Sequence, residues 1–152
     1  EAAVSDADVF ISVAAVADWR VRAPQKSKIK KDALGGVQPM IALDENPDIL
    51  SGIAHAHPEL YCVGFAAETE NVEANARRKL ERKGVSMVVG NDASRALGSD
   101  MNSVVFVNAQ GTLAFEGISK YEVACRLIEC VAKDLNRMRP HSVSSEEQQN
   151  EP

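Results

Sequence analysis

A chain of 152 residues, 45% hydrophobic and 26% charged, has the size and composition of one domain able to bury a core. It carries 22 Asp and Glu against 17 Lys and Arg, which argues against the broad basic surface of a nucleic-acid binder. No apolar run approaches the ~18 residues of a membrane span, and no secretory signal is visible. Its three cysteines, Cys62, Cys125 and Cys130, read as buried free thiols of a reducing compartment, so the expectation is a cytoplasmic protein.

The opening "EAAVSDA" reads as the last turns of a helix, followed by "DVFISVAAVA", an apolar run that predicts a buried parallel strand. Small residues then give way to Asp18 in "AAVADWR". Positions 19–31 hold six positive charges and no negative one, four of them in "KSKIKK". A local basic patch on an acidic chain points to one anionic ligand, and the plainer alternative is a solubilising loop. The stretch "KSKIKKDALGGVQPMIAL" reads as two extended arms around Gly35-Gly36, leaving the sheet as a flap. Pro39 keeps the second arm off a central strand position. Such an excursion serves as a lid, a dimer arm, or both.

In "NPDILSGIAHA" Asn46 is the expected N-cap, with Pro47 at the first helical position. His55 and His57 in "HAHPEL" have the spacing of a metal pair, but with no third ligand the preferred reading is a solvated helix end. A second buried strand, "LYCVGFAA" (60–67), offers Gly64, Ala66 and Ala67 as a surface for a flat group, with Phe65 placed to stack on it. The helix "ETENVEANARRKLERKG" has acidic residues first, basic residues last and Gly84 as its stop. Lys79 and Lys83 share one of its faces, with Glu81 and Arg82 on others.

The strand "VSMVVGN" (85–91) ends in Asn91 and Asp92 of "GNDAS", and "SVVFVNAQGTLAF" predicts two strands joined by a tight turn at Asn108 to Gly111. A last helix, "SKYEVACRLIECVAKDLNRM", begins with a Ser119–Glu122 capping box and presents Val123, Leu127, Ile128, Val131 and Leu135 on one face. Residues 140–152 read as a disordered tail, leaving 1–139 as the folded domain. Alternating strands and helices predict an α/β fold with a mostly parallel sheet flanked by helices and a projecting lysine-bearing flap.

In such a sheet, ligands bind beyond the carboxyl ends of the strands, and three strand ends here are polar. Glycine-rich dinucleotide and P-loop fingerprints are missing from the sequence, which argues against those modes of binding. A triphosphate would instead lie between the flap lysines, the Lys79–Lys83 pair and the helix start at Asn46.

The segments "AAVADWR", "KSKIKK", "NPDIL", "VGFAAET" and "GNDAS", in this order and spacing, resemble bacterial phosphopantothenoylcysteine synthetase. That enzyme is the C-terminal half of the bifunctional coenzyme A biosynthesis flavoprotein. The resemblance covers roughly residues 8 to 137. It implies a Rossmann-like fold, a homodimer, and CTP-dependent ligation of 4'-phosphopantothenate to L-cysteine through an acyl-cytidylate, releasing CMP and pyrophosphate. It also implies a divalent cation, usually Mg²⁺, and FMN only where a decarboxylase domain precedes the synthetase. Partners would then be CTP, phosphopantothenate and cysteine, with no nucleic acid and no membrane. Carried over by position, Asp18 and the backbone of Ala14-Ala15 hold the nucleotide, and Lys28 is the catalytic lysine. Pro47, Asp48, Ile49, Leu50, Phe65, Lys79 and Lys83 match CTP-contacting positions, with Phe65 and its backbone at cytosine and the helix lysines at phosphates. The family's first strand, its glycine-containing nucleotide loop and its asparagine segment precede residue 1, so the chain resembles the C-terminal part of the domain. The alternative is a non-catalytic nucleotide-binding or dimerisation module, an inactive fragment. A reductase or methyltransferase on a similar sheet lacks its glycine-rich fingerprint here.

Overall fold

In the computed structural model, residues 4–25, 27, 38–93 and 101–138 are described. In chain order the elements are β1 (Val9–Ser12), β2 (Trp19–Val21), β3 (Leu43–Glu45), α1 (Ile49–Ala56), β4 (Tyr61–Glu68), α2 (Val72–Lys83), β5 (Met87–Asp92), β6 (Met101–Asn108), β7 (Gly111–Ser119) and α3 (Lys120–Met138). Five strands form one sheet in the order β1-β4-β5-β6-β7, and β2 and β3 form a separate two-stranded ribbon. The expected run of buried strands is present, but the sheet is mixed where a mostly parallel one was expected. β1–β4 and β4–β5 are parallel, while β5–β6 and β6–β7 are antiparallel. The reason is connectivity: α2 supplies the crossover a parallel neighbour needs, whereas β6 and β7 are joined by two residues. Asn108 Oδ1 accepts the Gln110 and Gly111 N–H groups at 3.0 and 3.1 Å, and Gly111 takes a φ of 147° that favours glycine.

Side chains alternate across β4 as the pleat requires. Cys62 and Ala66 join Leu50, Ala54, Ala76 and Val88 in a core under α1 and α2. Tyr61 and Val63 join Met87, Phe106, Leu127 and Val131 in a second core under α3. Close helix approach explains two glycines. A Cβ on Gly64 would stand 2.6 Å from Leu50 Cδ2, and one on Gly90 would meet Val72, Val105 and Ala76 at 2.9, 3.0 and 3.2 Å. Gly64 and Ala66 are therefore used for packing against helices, not as an open surface for a flat group.

α2 ends as its sequence implies. Gly84 adopts φ 63°, its N–H reaches Glu81 O, and Val85 N–H reaches Leu80 O, both at 3.3 Å, a paired closure of the last turn. α1 begins two residues later than expected. Its N-cap is Asp48, whose Oδ1 accepts Ser51 N–H at 3.1 Å, because Asn46 is committed elsewhere. α3 starts with Ser119 Oγ accepting Glu122 N–H at 3.1 Å, the helix-entering half of the capping box. Its buried stripe is Val123, Leu127, Val131 and Asp134, while Ile128 is 56% exposed. Asp134 tolerates burial because Tyr61 OH and Asn108 Nδ2 donate to its Oδ2 at 2.7 and 2.8 Å, with Arg137 at 3.5 Å. Of the cysteines, only Cys62 is buried; Cys125 is exposed and Cys130 half-buried, so the expectation of three buried thiols is corrected.

The ribbon strands β2 and β3 flank the lysine-bearing stretch in sequence. Trp19 pairs with Glu45 and Val21 with Leu43, and Arg22 Nε lies 2.7 Å from Asp44 Oδ1. The lysine run with Lys28, the Gly35-Gly36 bend and the 140–152 tail lie outside the described residues. At the other end, Val4–Asp6 form a turn with Ala7 N–H 3.3 Å from Val4 O.

Candidate functional site

A cavity of about 870 Å³ opens at the carboxyl ends of β1 and β4, within the size range of small-molecule sites. Four separated stretches build it: the 12–19 segment leaving β1, residues 45–51 entering α1, the end of β4, and the last turn of α2. Ala14, Ala15, Asp18, Pro47, Asp48, Ile49, Leu50, Phe65, Lys79 and Lys83, all singled out in the sequence, line this one cavity. Lys28 is among the residues not described. The third polar strand end, Asn91 and Asp92, pairs with Ala67 and Glu68 on β4 and is not part of the lining.

Asn46 ties these stretches together. Its Nδ2 donates to Ala17 O at 2.7 Å, its Oδ1 accepts from Arg20 at 3.1 Å, and its N–H reaches Asp18 O at 2.7 Å. The loop after β1, the ribbon and the entry to α1 thus meet at a single side chain. Proline at the next position keeps Asn46 out of the helical region, which frees it for this work.

The cation wall comes from α2. Lys79 Nζ donates to the Phe65 carbonyl, and Lys83 Nζ pairs with Asp48 Oδ2. Burial, followed by repulsion from Lys83, pulls the Lys79 pKa below its ordinary value, with Glu68 opposing. For Asp48, partial burial alone would raise the pKa. The hydrogen bonds from Lys83 and Ser51 N–H, with the nearby charges of Lys83 and Arg82, bring it below the ordinary value. Arg82 also lines the cavity, although helical spacing assigned it to another face; a residue at the last turn reaches around the end of its helix. Phe65 contributes in two directions. Its carbonyl holds Lys79, while its ring packs with the core under α3.

Three carboxylates, Asp18, Glu45 and Asp48, share the cavity with the three cations. Among the described residues no group of three or more His, Cys, Asp or Glu is placed to hold a metal. His55 and His57 serve the end of α1. His55 Nδ1 donates to Ser51 O at 2.7 Å, and His57 is the C-cap, with Nδ1 3.5 Å from Glu59. Arg20, Asn46 and Arg82 take roles the sequence did not assign them: Asn46 was expected as the cap of α1, Arg82 on another face of α2, and Arg20 only as part of the basic stretch.

The chain is 40% identical over 131 residues to the coenzyme A biosynthesis bifunctional protein CoaBC of Haemophilus influenzae, covering 84% of this chain and 32% of that one. To the protein of the same name from Thermococcus kodakarensis it is 35% identical over 133 residues, 84% of this chain and 32% of the other. It therefore spans about a third of the length of these relatives. Among solved structures, the C-terminal domain of CoaBC superposes with a TM-score of 0.67 at 29% identity, covering 87% of this chain and 57% of that domain. A Cab2 mutant in complex with phosphopantothenate-cysteine superposes at 0.56 and 24% identity over 84% of this chain and 46% of that one, a likeness of fold alone. The family model described as the DNA/pantothenate metabolism flavoprotein C-terminal domain matches residues 1–135, and the chain belongs to that family.

Proposed function

We propose that this chain carries the CTP-binding part of a phosphopantothenate–cysteine ligase. The observation that supports the reading is the convergence of ten sequence-selected positions, from four separated stretches, on one cavity with a cationic wall. The reaction asks for that wall. The phosphopantothenate carboxylate must attack an α-phosphate already bearing negative charge, so cations have to cancel the repulsion. Pyrophosphate leaves, the cysteine amine displaces CMP from the acyl-cytidylate, and water must be kept from the mixed anhydride meanwhile. Lys79, Arg82 and Lys83 are suited to the phosphates. The loop 14–18 and the backbone of Phe65 are suited to the nucleoside, and Lys28 acts in the chemistry.

The Mg²⁺ of the family's reaction fits a cation carried on triphosphate oxygens, as phosphate-bound Mg²⁺ usually keeps few protein ligands. The scattered cavity carboxylates Asp18, Glu45 and Asp48 suit one or two contacts, not a cage. FMN enters only with a preceding decarboxylase domain. The reading further places the protein in the cytoplasm as a homodimer built through the arm ending at Leu43, where Met40 and Ile41 are 96% and 67% exposed. No helix among the described residues is long and apolar enough to cross a membrane.

Calorimetric titration of CTP and ATP, with Mg²⁺, onto this chain and onto a chain extended to the full synthetase domain tests the reading. CTP binding to both chains, tighter than ATP, is the expected result. No nucleotide binding by the extended chain would refute it.

A further inference from the structure

The Asp48–Lys83 pair lies inside the cavity, and both oxygens of the carboxylate are in use. Oδ1 closes the first turn of α1 by accepting Ser51 N–H at 3.1 Å, and Oδ2 takes Lys83 Nζ. The Lys83 side chain is 17% exposed against 46% for Asp48, so the carboxylate is the more open member of the pair. Lys79 is likewise engaged, by a neutral carbonyl it can share. Arg82 is exposed and makes no side-chain hydrogen bond or ion pair with the described residues. The three cations are thus unequal: one with no hydrogen bond or ion pair among the described residues though its charge is felt at Asp48, one on a carbonyl, one paired with a carboxylate.

A phosphate that takes Lys83 has to share its ammonium with Asp48 or displace it. Two anions on one ammonium at contact distance repel, and the carboxylate also occupies the amide-rich start of α1 that would otherwise favour an anion. Resting on the reading of the cavity as a triphosphate site, we infer that Asp48 is a positioning residue that holds Lys83 in place of a phosphate and yields it when the triphosphate arrives. Its side chain works against the ligand, while its backbone and cap shape the entry to α1. Asp48 keeps Lys83 paired and neutralised until the triphosphate arrives, and ligand binding includes an exchange of Lys83 from carboxylate to phosphate.

The test is a thermodynamic cycle on the full chain, read by titration of CTP, cytidine and inorganic triphosphate. Asp48→Asn and Asp48→Ser remove the charge and retain a side chain able to cap α1, so two variants guard against a fold defect in either. Glu45→Gln removes another cavity carboxylate and controls for general charge. Asp48→Asn is expected to tighten CTP and inorganic triphosphate ~3- to 10-fold, leave cytidine unchanged, and exceed the effect of Glu45→Gln at least twofold. In a Lys83→Gln background the gain should vanish. A loss of triphosphate affinity in both Asp48 variants, no change, or an undiminished gain without Lys83 would overturn the inference. Absence of CTP and triphosphate binding to the unsubstituted chain would instead overturn the reading of the cavity.

Discussion

Lys79 is the cavity cation whose contribution to ligand binding can be worked out most directly. Its ammonium is half-buried and held by the Phe65 carbonyl, so Lys79→Met removes one charged donor while keeping most of the stem. A hydrogen bond from a charged group contributes roughly 1.5–3 kcal/mol. Lys79 already has a neutral partner, so the gain on meeting a phosphate is an exchange, nearer ~1–2 kcal/mol and thus ~5- to 30-fold in CTP affinity. Cytidine affinity should change less than ~2-fold, because no phosphate is present to lose a donor. The pH dependence has a definite sign. Folding lowers the Lys79 pKa below its ordinary 10.5, so between the lowered value and 10.5 the unfolded chain binds more protons and stability rises with pH. A bound phosphate restores the charge, so CTP binding should take up protons in that window and weaken as pH rises through it. Titrations in buffers of different ionisation enthalpy measure that uptake, and in Lys79→Met it should disappear. Equal losses for CTP and cytidine, or unchanged proton uptake in the variant, would refute the assignment of this helix face to phosphate.

Gly90→Ala should destabilise by about 2 kcal/mol in urea melts, because the new methyl meets Val72, Val105 and Ala76 at 2.9 to 3.2 Å and none of these can swing aside. Gly64→Ala meets only the end of Leu50 and should cost about 1 kcal/mol, with a measurable loss of CTP affinity as Leu50 moves in the cavity wall. Tyr61→Phe should cost ~1–2 kcal/mol, because among the described residues buried Asp134 then keeps Asn108 and the more distant Arg137; a neutral result would mean the hydroxyl contributes little to holding that carboxylate. If the arm ending at Leu43, with Met40 and Ile41 exposed, is a dimer contact, the chain should sediment as a dimer at micromolar concentration, and a monomer would count against that contact. In a complete domain, Lys28→Gln should slow turnover ~10²- to 10³-fold, with acyl-cytidylate accumulating if the lysine acts in the second step, whereas near-normal turnover would return "KSKIKK" to a solvated loop.

The parts of this protein legible in its sequence are those written in short-range patterns. Buried strands show as apolar runs, the β6–β7 hairpin as "NAQG", and the end of α2 as a glycine after basic residues, because each depends on neighbours within a few positions. The antiparallel β6–β7 pair was legible as a hairpin, but the direction of β6 against β5 was not, since an apolar run in the interior looks the same whether its neighbour runs with it or against it. The start of α1 shows the same limit at one residue. Asn46 and Asp48 are equally good caps by propensity, and the choice between them is made 26 to 29 residues away, where Arg20 and the Ala17 carbonyl take the Asn46 side chain. Phe65 and Gly64 looked like a surface for a base because glycine and an aromatic at a strand end allow it. Leu50, on a different element, fills the space over Gly64, and the core under α3 takes the Phe65 ring. Arg82 lines the cavity although spacing puts it on another face, because helical spacing assigns faces only along the length of a helix and a long side chain in the last turn is not bound by it. The residues picked by position therefore line one cavity, but the partner of each is decided by contacts across the fold. Lys83 is the sharpest instance: its spacing from Lys79 marks it for an anion, and the anion it holds in this structure is supplied by the protein itself.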